Sequence, residues 1–518
     1  MSWEHDTASG FLDLLKRLNA FLLKGHNIPP VYTGSGDGRI DNIIGTSASV
    51  QETITITFTG PTAFNVAGSV TGALAAGTVG TDYTSSVVNF LVSQGSTQWQ
   101  SGDTISFVMT PPYESQSDVV SYASSSVYSD TARTMFAFDG DANTYWGTDN
   151  LTLTGTLEVE FGSAHEIVQY ALQMRGDVSA PTTCPAAWTL EYYDENTSAW
   201  VVGDTQTGQT AWSQGQRRYF TLAASITAKR FRINITANNG STVNTTVAGF
   251  GLYETLLGPN VAYAGCIWKA PGNANMDDIY FGVYPYYHVA TDYYNWRLGA
   301  FVGFTSGLTF ANQLGAMTVN HLFLTSGNIP YWFIADGAHV AIVAAVGTVY
   351  ESGYMGFIDK YMNPGAHPYP LFIGGSARFS TEPATTSTSW RWSYTGNEHS
   401  AFWKGLNGSS SPLLVRKMDG TWKTFQGGTA EPDGGLWPFV SGPISFTYTI
   451  TNMDGTYPLF PIIPNEQTAQ YGELTGVAAV PGYLQSAENI ILSNRERWLV
   501  VPNIYRSDRS DFAAFRLV

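Results

Sequence analysis

QETITITFT, residues 51–59, alternates polar and apolar side chains from Thr53 onward. Successive side chains of an extended backbone point to opposite faces, so Ile54, Ile56 and Phe58 share one side and Thr53, Thr55 and Thr57 the other. Comparable runs recur at 64–70, 87–92 and 104–109, separated by Gly-rich turns, which predicts a small β-sandwich over 31–116. LEVEF (157–161), VQYALQM (168–174), WTLEYY (188–193) and RFRINIT (230–236) continue the strand pattern. Only 9–24 has helical spacing: Phe11, Leu14, Leu15, Leu18, Phe21 and Leu22 line one face, with Ser9 as N-cap and Gly25 as stop. The fold expected is mainly β, several β-sandwich domains in tandem behind a short N-terminal amphipathic helix (1–30) that serves attachment or oligomerisation.

A chain of 518 residues exceeds what one hydrophobic core usually supports, so several domains of roughly 100 to 200 residues are expected. Charged residues are 13% of the chain, about half the usual share, and 53 Gly, 24 Pro and an aromatic content of 14% suit short strands joined by tight turns. With 25 Lys and Arg against 41 Asp and Glu, the net charge is −16. No basic run could neutralise a line of phosphates, which argues against nucleic acid. The longest apolar stretch, Val340–Val346, is far shorter than the roughly 20 residues needed to span a bilayer, so no membrane insertion is expected. Glu4, His5 and Asp6 stand where a signal peptide would be basic. Cys184 and Cys266 form no disulfide framework or metal spacing, as expected of a protein that folds in a reducing cytoplasm. Beyond the Gly258-Pro259 break, Tyr and Trp crowd into 279–296, predicting an aromatic and Gly-rich β domain (257–430) and a C-terminal β segment (431–518).

Seven blocks between 117 and 256 carry a resemblance. They are AFDGDANTYW (137–146), LEVEFG (157–162), IVQYALQM (167–174), PAAWTLEYYDENTSAW (185–200), RYF (218–220), KRFRINIT (229–236) and AGFGLYE (248–254). In this order they resemble the discoidin, or coagulation factor type C, family, which overlaps with galactose-binding-like carbohydrate-binding modules and implies a jelly-roll sandwich. In related modules the loop corresponding to Asp139-Gly140-Asp141 holds a structural Ca²⁺, which would here fall to Asp139, Asp141 and Thr144. Oxygen ligands of this kind suit that ion. Many relatives add an acid at a position matching Gly249, which has no side chain to offer; Glu254 is the substitute within reach of the sequence. The alternative is that the two Asp cap the turn through backbone hydrogen bonds. Sugar-binding members use an aromatic and polar side chains at one loop end, and the residues of that type here are Tyr145, Arg175, Trp212, Asn238 and Asn239. Trp146 and Trp188 fall within strand blocks and are expected in the core.

Elsewhere the chain resembles tailed-bacteriophage virion proteins, notably tail-tip and baseplate components. The segments concerned are the helix leading into a Gly-rich turn, 58–85 with 101–110, 351–377 and 498–517. The resemblance implies a structural role in the virion, assembly with itself as a trimer or hexamer and with other tail proteins, and attachment to host surface polysaccharide. Exposed apolar patches on the helix and the aromatic strands would suit such partners.

No catalytic constellation emerges. The eight His show no HxxxH or HxH spacing, and no GxSxG elbow or Walker loop occurs. GSGDG (34–38) leads into an acidic stretch that would repel phosphate. Asp277 with Asp278, and Asp508 with Asp511, are nominal glycosidase pairs, but the latter lie among Arg506, Arg509 and Arg516, where ion pairing is the simpler account. The Tyr280–Tyr294 cluster reads as core or subunit interface rather than a glycan platform. The function expected is a non-enzymatic baseplate or tail-tip protein whose discoidin-like module holds host glycan. A purely architectural baseplate protein and a polysaccharide depolymerase are the alternatives.

Overall fold

The computed structural model describes residues 1–129, 132–178, 182–272, 279–288, 293–359, 361, 371–378, 400–403, 410–417, 419–426, 435–438, 453, 458–466, 469–481, 488, 490–493, 495–504 and 512–518. Asp277, Asp278, Asp508 and Asp511 lie outside them. The architecture is mainly β with several sheets. The alternation at 51–59 becomes the strand Glu52–Phe58, paired on one side with Ala63–Gly68 and on the other with Thr104–Thr110. Ile54, Ile56 and Phe58 are buried against Phe64, Phe90, Trp99 and Phe107 from the facing layer and neighbouring strands. This core is a cluster of its own. Glu52 is buried, yet its carboxylate accepts the Val70 and Thr71 N–H groups at 3.1 and 3.0 Å and so closes the hairpin beyond Gly68, which offsets the desolvation of the charge.

The N-terminal helix is not a free appendage. Ser2–Ala8, ahead of it, is an edge strand of a long sheet and pairs antiparallel with Ile329–Ala335. The helix, α1 (Phe11–Leu22), buries Leu14, Leu15, Leu18, Phe21 and Leu22 completely. They pack against Trp268, Phe281 and Trp296 of one sheet and Phe333, Val340 and Ile342 of another. The Trp268 indole donates to Asn19 Oδ1 at 2.8 Å and the Trp296 indole to the Phe11 carbonyl at 3.1 Å. The apolar face that the sequence offered to a partner protein is thus covered by the chain's own sheets. Nor does Ser9 cap the helix: Gly10 does, at φ 133°, while Asp13 reaches back to the Ser9 N–H at 2.9 Å. Gly25 marks a close approach rather than a simple stop, since a Cβ there would lie 2.3 Å from Ser49 Cβ.

The boundary drawn at 256/257 is bridged by one strand. Glu114–Ser124 pairs through its first half with Cys266–Ala270 and through its second half with Gly155–Gln173. The discoidin-like strands and the aromatic strands Ile279–His288, Tyr293–Phe301 and Met317–Leu324 therefore form one continuous sheet. They share a core too: Tyr284, Tyr286 and Tyr293 pack with Tyr122, Phe138 and Phe250. The described tyrosines of the cluster are core or partly buried, not a platform. At the C-terminal end, Val477–Val480, Phe512–Arg516 and Glu496–Pro502 form a further sheet, and Phe515 and Leu499 pack with Met1, Trp332 and Phe402.

Truncating Leu18 to Ala removes a side chain that is 0% exposed and should destabilise the chain by about 2–5 kcal/mol. Denaturant unfolding measures it; a change near zero would mean the helix is not packed between the sheets.

Candidate functional site

Two long strands build the scaffold of the site. Gly155–Gln173 and Arg217–Asn238 pair with each other over almost their full length, with register breaks after Glu160 and Ile167. Both ends of each strand thus reach one end of the sandwich, and the breaks lie at the other. The loops gathered at the first end are cross-linked by backbone hydrogen bonds: Gly176 N–H to the Ala142 carbonyl at 2.7 Å, Gly215 N–H to Arg175 at 2.9 Å, Asn239 N–H to Cys184 at 3.0 Å and Thr246 N–H to Thr183 at 2.8 Å.

All five residues expected to hold sugar sit at this end of the sandwich, on the loops or, for Asn238, at a strand end, but they divide into two groups. Tyr145 and Arg175 form a unit: the guanidinium carbon lies 3.7 Å from the ring centroid, and Asp177 clamps the same guanidinium through Nε at 2.9 Å and Nη2 at 2.6 Å. Asn143, Ser213 and Gln214, on the same cross-linked loops, are exposed. The other three hold the scaffold. Trp212 is 8% exposed, donates its indole N–H to the Pro185 and Gln209 carbonyls, and carries Arg218 on its face at 3.9 Å. Asn239 Nδ2 lies within 3.2 Å of the Cys184, Pro185 and Gln209 carbonyls. Asn238 spans its own loop, from the Gly240 N–H to Thr245 Oγ1. Their hydrogen-bonding capacity is used within the fold, so none is a ready sugar contact. Asp177 is the partner the sequence reading missed; an acid two residues from Arg175 in a loop was the available signal. Trp146 and Trp188 are buried, as expected.

The Asp139–Thr144 turn closes on itself. Asp139 Oδ1 accepts the Asp141 N–H at 2.9 Å, Thr144 donates its hydroxyl to Asp139 Oδ2 at 2.7 Å, and Asp141 Oδ1 accepts the Asn143 N–H at 2.8 Å. Glu254 is not near enough to assist, because it lies beyond the far end of Gly249–Tyr253 and its Oε1 is 2.9 Å from His165 Nδ1. Ca²⁺ takes 6–8 oxygen ligands, and among the described residues no group of three or more His, Cys, Asp or Glu is placed to hold a metal. In this arrangement Asp139, Asp141 and Thr144 cap the turn through its own donors.

At the other end of the sandwich is a cluster the sequence did not flag. His165 lies between two carboxylates, Nε2 at 2.8 Å from Asp118 Oδ1 and Nδ1 at 2.9 Å from Glu254 Oε1. Asp118 also accepts the Ser163 N–H at 2.7 Å and hydroxyl at 2.6 Å. These residues line a cleft of about 250 Å³ with Asn260, Tyr263 and Phe304. Burial opposes a charge on His165, but hydrogen bonds and attraction from Asp118 and Glu254 outweigh it and raise the imidazole's pKa. With both ring nitrogens engaged by carboxylates, His165 is placed to join strands rather than to act as a base.

Residues 121–250 match the model of the F5/8 type C domain. Similar solved structures include chitosan-binding module 1 derived from a chitosanase/glucanase from Paenibacillus sp. IK-5, 21% identical over 26% of this chain and 93% of that one, with a TM-score of 0.22. The family 32 CBM from C. perfringens NanJ in complex with galactose is 18% identical over 26% and 93%, TM-score 0.22. The family 32 carbohydrate-binding module from Streptococcus pneumoniae EndoD is 17% identical over 26% and 94%, TM-score 0.22. No curated protein sequence matches the chain.

Two outcomes are expected. Removing Ca²⁺ with a chelator should leave the melting temperature unchanged, while Asp139→Ala, which deletes two turn hydrogen bonds, should cost about 1 kcal/mol; a drop on chelation would show that the loop rearranges around the ion. Because the folded pKa of His165 is raised, its stabilisation is complete below the ordinary His value of about 6.5 and fades as pH rises through the raised value. Melting curves between about pH 6 and 9 should show that loss in the wild type and not in His165→Gln.

Proposed function

Since residues 121–250 form an F5/8 type C module, we propose that the chain is a binding protein of a phage tail, in the baseplate or tail tip, that holds host surface glycan at the loop end of this module. The observation that carries the glycan reading is the Tyr145–Arg175–Asp177 unit, an aromatic ring with a fixed guanidinium and carboxylate among exposed polar side chains. A ring face or edge suits the carbon skeleton of a sugar, and the fixed polar groups suit its hydroxyls. The similar modules named above include one in complex with galactose and one described as chitosan-binding, which supports the same class of ligand. The place in the virion rests on the resemblance of 58–85, 101–110, 351–377 and 498–517 to tail proteins. The chain acts by binding, without turnover. A single contact of this kind is weak, and several copies in a trimer or hexamer around a tail compensate through effective concentration.

A second reading, a purely architectural protein, is favoured by the internal saturation of Trp212, Asn238 and Asn239.

Titrating the full-length chain with host surface polysaccharide separates them. Tyr145→Ala and Arg175→Ala should each weaken binding about tenfold or more, roughly 1.4 kcal/mol, without changing the melting temperature. Wild-type binding that never exceeds background would sink the glycan reading and leave the architectural one. Light scattering is expected to give a trimer or hexamer; a monomer would remove self-assembly from the proposal.

A further inference from the structure

A second cleft, of about 380 Å³, lies outside the F5/8 type C module, where the small sandwich meets the C-terminal strands. Its walls include Tyr32 and Gly34 from the sandwich and Arg495, Glu496 and Arg516 from the C-terminal side. Its volume falls within the roughly 300–1,000 Å³ of small-molecule sites.

The charges in it are unequal in their freedom. Glu496 is fully engaged: Oε1 is 2.7 Å from Arg516 Nη2, and Oε2 accepts the Trp498 indole N–H at 2.9 Å. Neighbouring Arg497 and Arg39 both pair with Asp41, at 3.3 and 2.8 Å. Arg495 differs. Among the described residues it has no carboxylate within ion-pairing distance; its Nη2 donates to the Gly36 carbonyl at 2.6 Å, and its guanidinium carbon lies 4.7 Å from the Tyr32 ring centroid and 5.9 Å from that of Trp99. The acids closest along the sandwich loops are already satisfied. Asp103 accepts the N–H groups of Ser35, Gly36 and Gln100, and Asp37 accepts the Thr97 N–H and Ser96 hydroxyl.

In a chain of net charge −16, the cleft's other arginine, Arg516, and the neighbouring Arg497 and Arg39 are each paired with an acid, whereas this one is positioned by a carbonyl and two rings at the wall of a cavity. A planar guanidinium so held presents its remaining N–H groups as a fork that matches a carboxylate or phosphoryl group. The Tyr32 ring, which packs on the sandwich core and carries this guanidinium over it, forms the adjoining wall of the cleft. The negative charge of the rest of the chain does not prevent this, because exposed charges are screened within about 8 Å at physiological ionic strength.

We propose that this cleft binds an anionic saccharide, a sugar ring bearing a carboxylate or a phosphoryl group, with Arg495 holding the anion and the sugar ring lying along the cleft wall that includes Tyr32. The site is independent of the module at 121–250 and can fail or stand without it.

Calorimetric titration of the full-length chain with glucuronate, glucose 6-phosphate and neutral glucose tests it. At least one anion should bind about tenfold or more tightly than glucose, and which anion does so identifies the group recognised. Arg495→Gln should abolish that preference, and Tyr145→Ala at the module's loop end should leave it intact. No anion binding, or glucose binding equally well, would overturn the proposal on the unmodified chain, whatever the variant's stability. Anion binding unchanged in Arg495→Gln would overturn it as well.

Discussion

Asp118 stands where one strand changes partners. Ahead of it Glu114–Ser124 pairs with Cys266–Ala270, and after it with Gly155–Gln173. Such a switch leaves backbone and side-chain groups that no single ladder satisfies. The Asp118 carboxylate, nearly buried, takes up Ser163 and His165 from the kinked strand alongside. Burial by itself would push this carboxyl's pKa up; the His165 and Ser163 contacts outweigh it and hold it below its usual range. Because the strand belongs to both halves of the continuous sheet, the module cannot turn independently of the body, and the direction its loop end faces is set by the β scaffold rather than by a linker.

The N-terminal segment is the second constraint. The strand Ser2–Ala8 extends one sheet, and the helix after it fills the space between that sheet and the next. Two buried indoles meet the helix with hydrogen bonds to Asn19 and Phe11. A stripe of Leu and Phe on a helix says only that the face will be covered; it does not say by what. Here the cover comes from strands near residues 268, 296 and 333, so an amphipathic pattern that suits a docking helix belongs to the core.

What the sequence made legible was local. The alternation Thr53 to Phe58 became a strand with Ile54, Ile56 and Phe58 inward, and the blocks from 137 to 254 correspond to a recognisable module, because period-two patterning and block order survive in a linear reading. Pairings such as Trp3 with Ile334 carry no local signature. The loop residues show a different limit. Tyr145, Arg175, Trp212, Asn238 and Asn239 have the right chemistry and the right end of the sandwich, yet residue type does not reveal whether a donor is already used. Trp212 and Asn239 bind the same two carbonyls, of Pro185 and Gln209, a convergence visible only once three separate segments have been brought together. Likewise His165 gains its meaning from Asp118 and Glu254, far from it in sequence.

The pairing of Ser2–Ala8 with Ile329–Ala335 also bears on the life of the chain before it is complete. At about 5–20 residues per second on the ribosome, the first strand and the apolar face of the helix wait roughly fifteen seconds to a minute for the strands that will cover them. The small sandwich has its own core and no such wait, so it can close early, next to an N-terminal segment still exposing Leu and Phe. That interval is when nascent copies are most open to joining one another wrongly, and it makes chaperones natural company for this protein during synthesis.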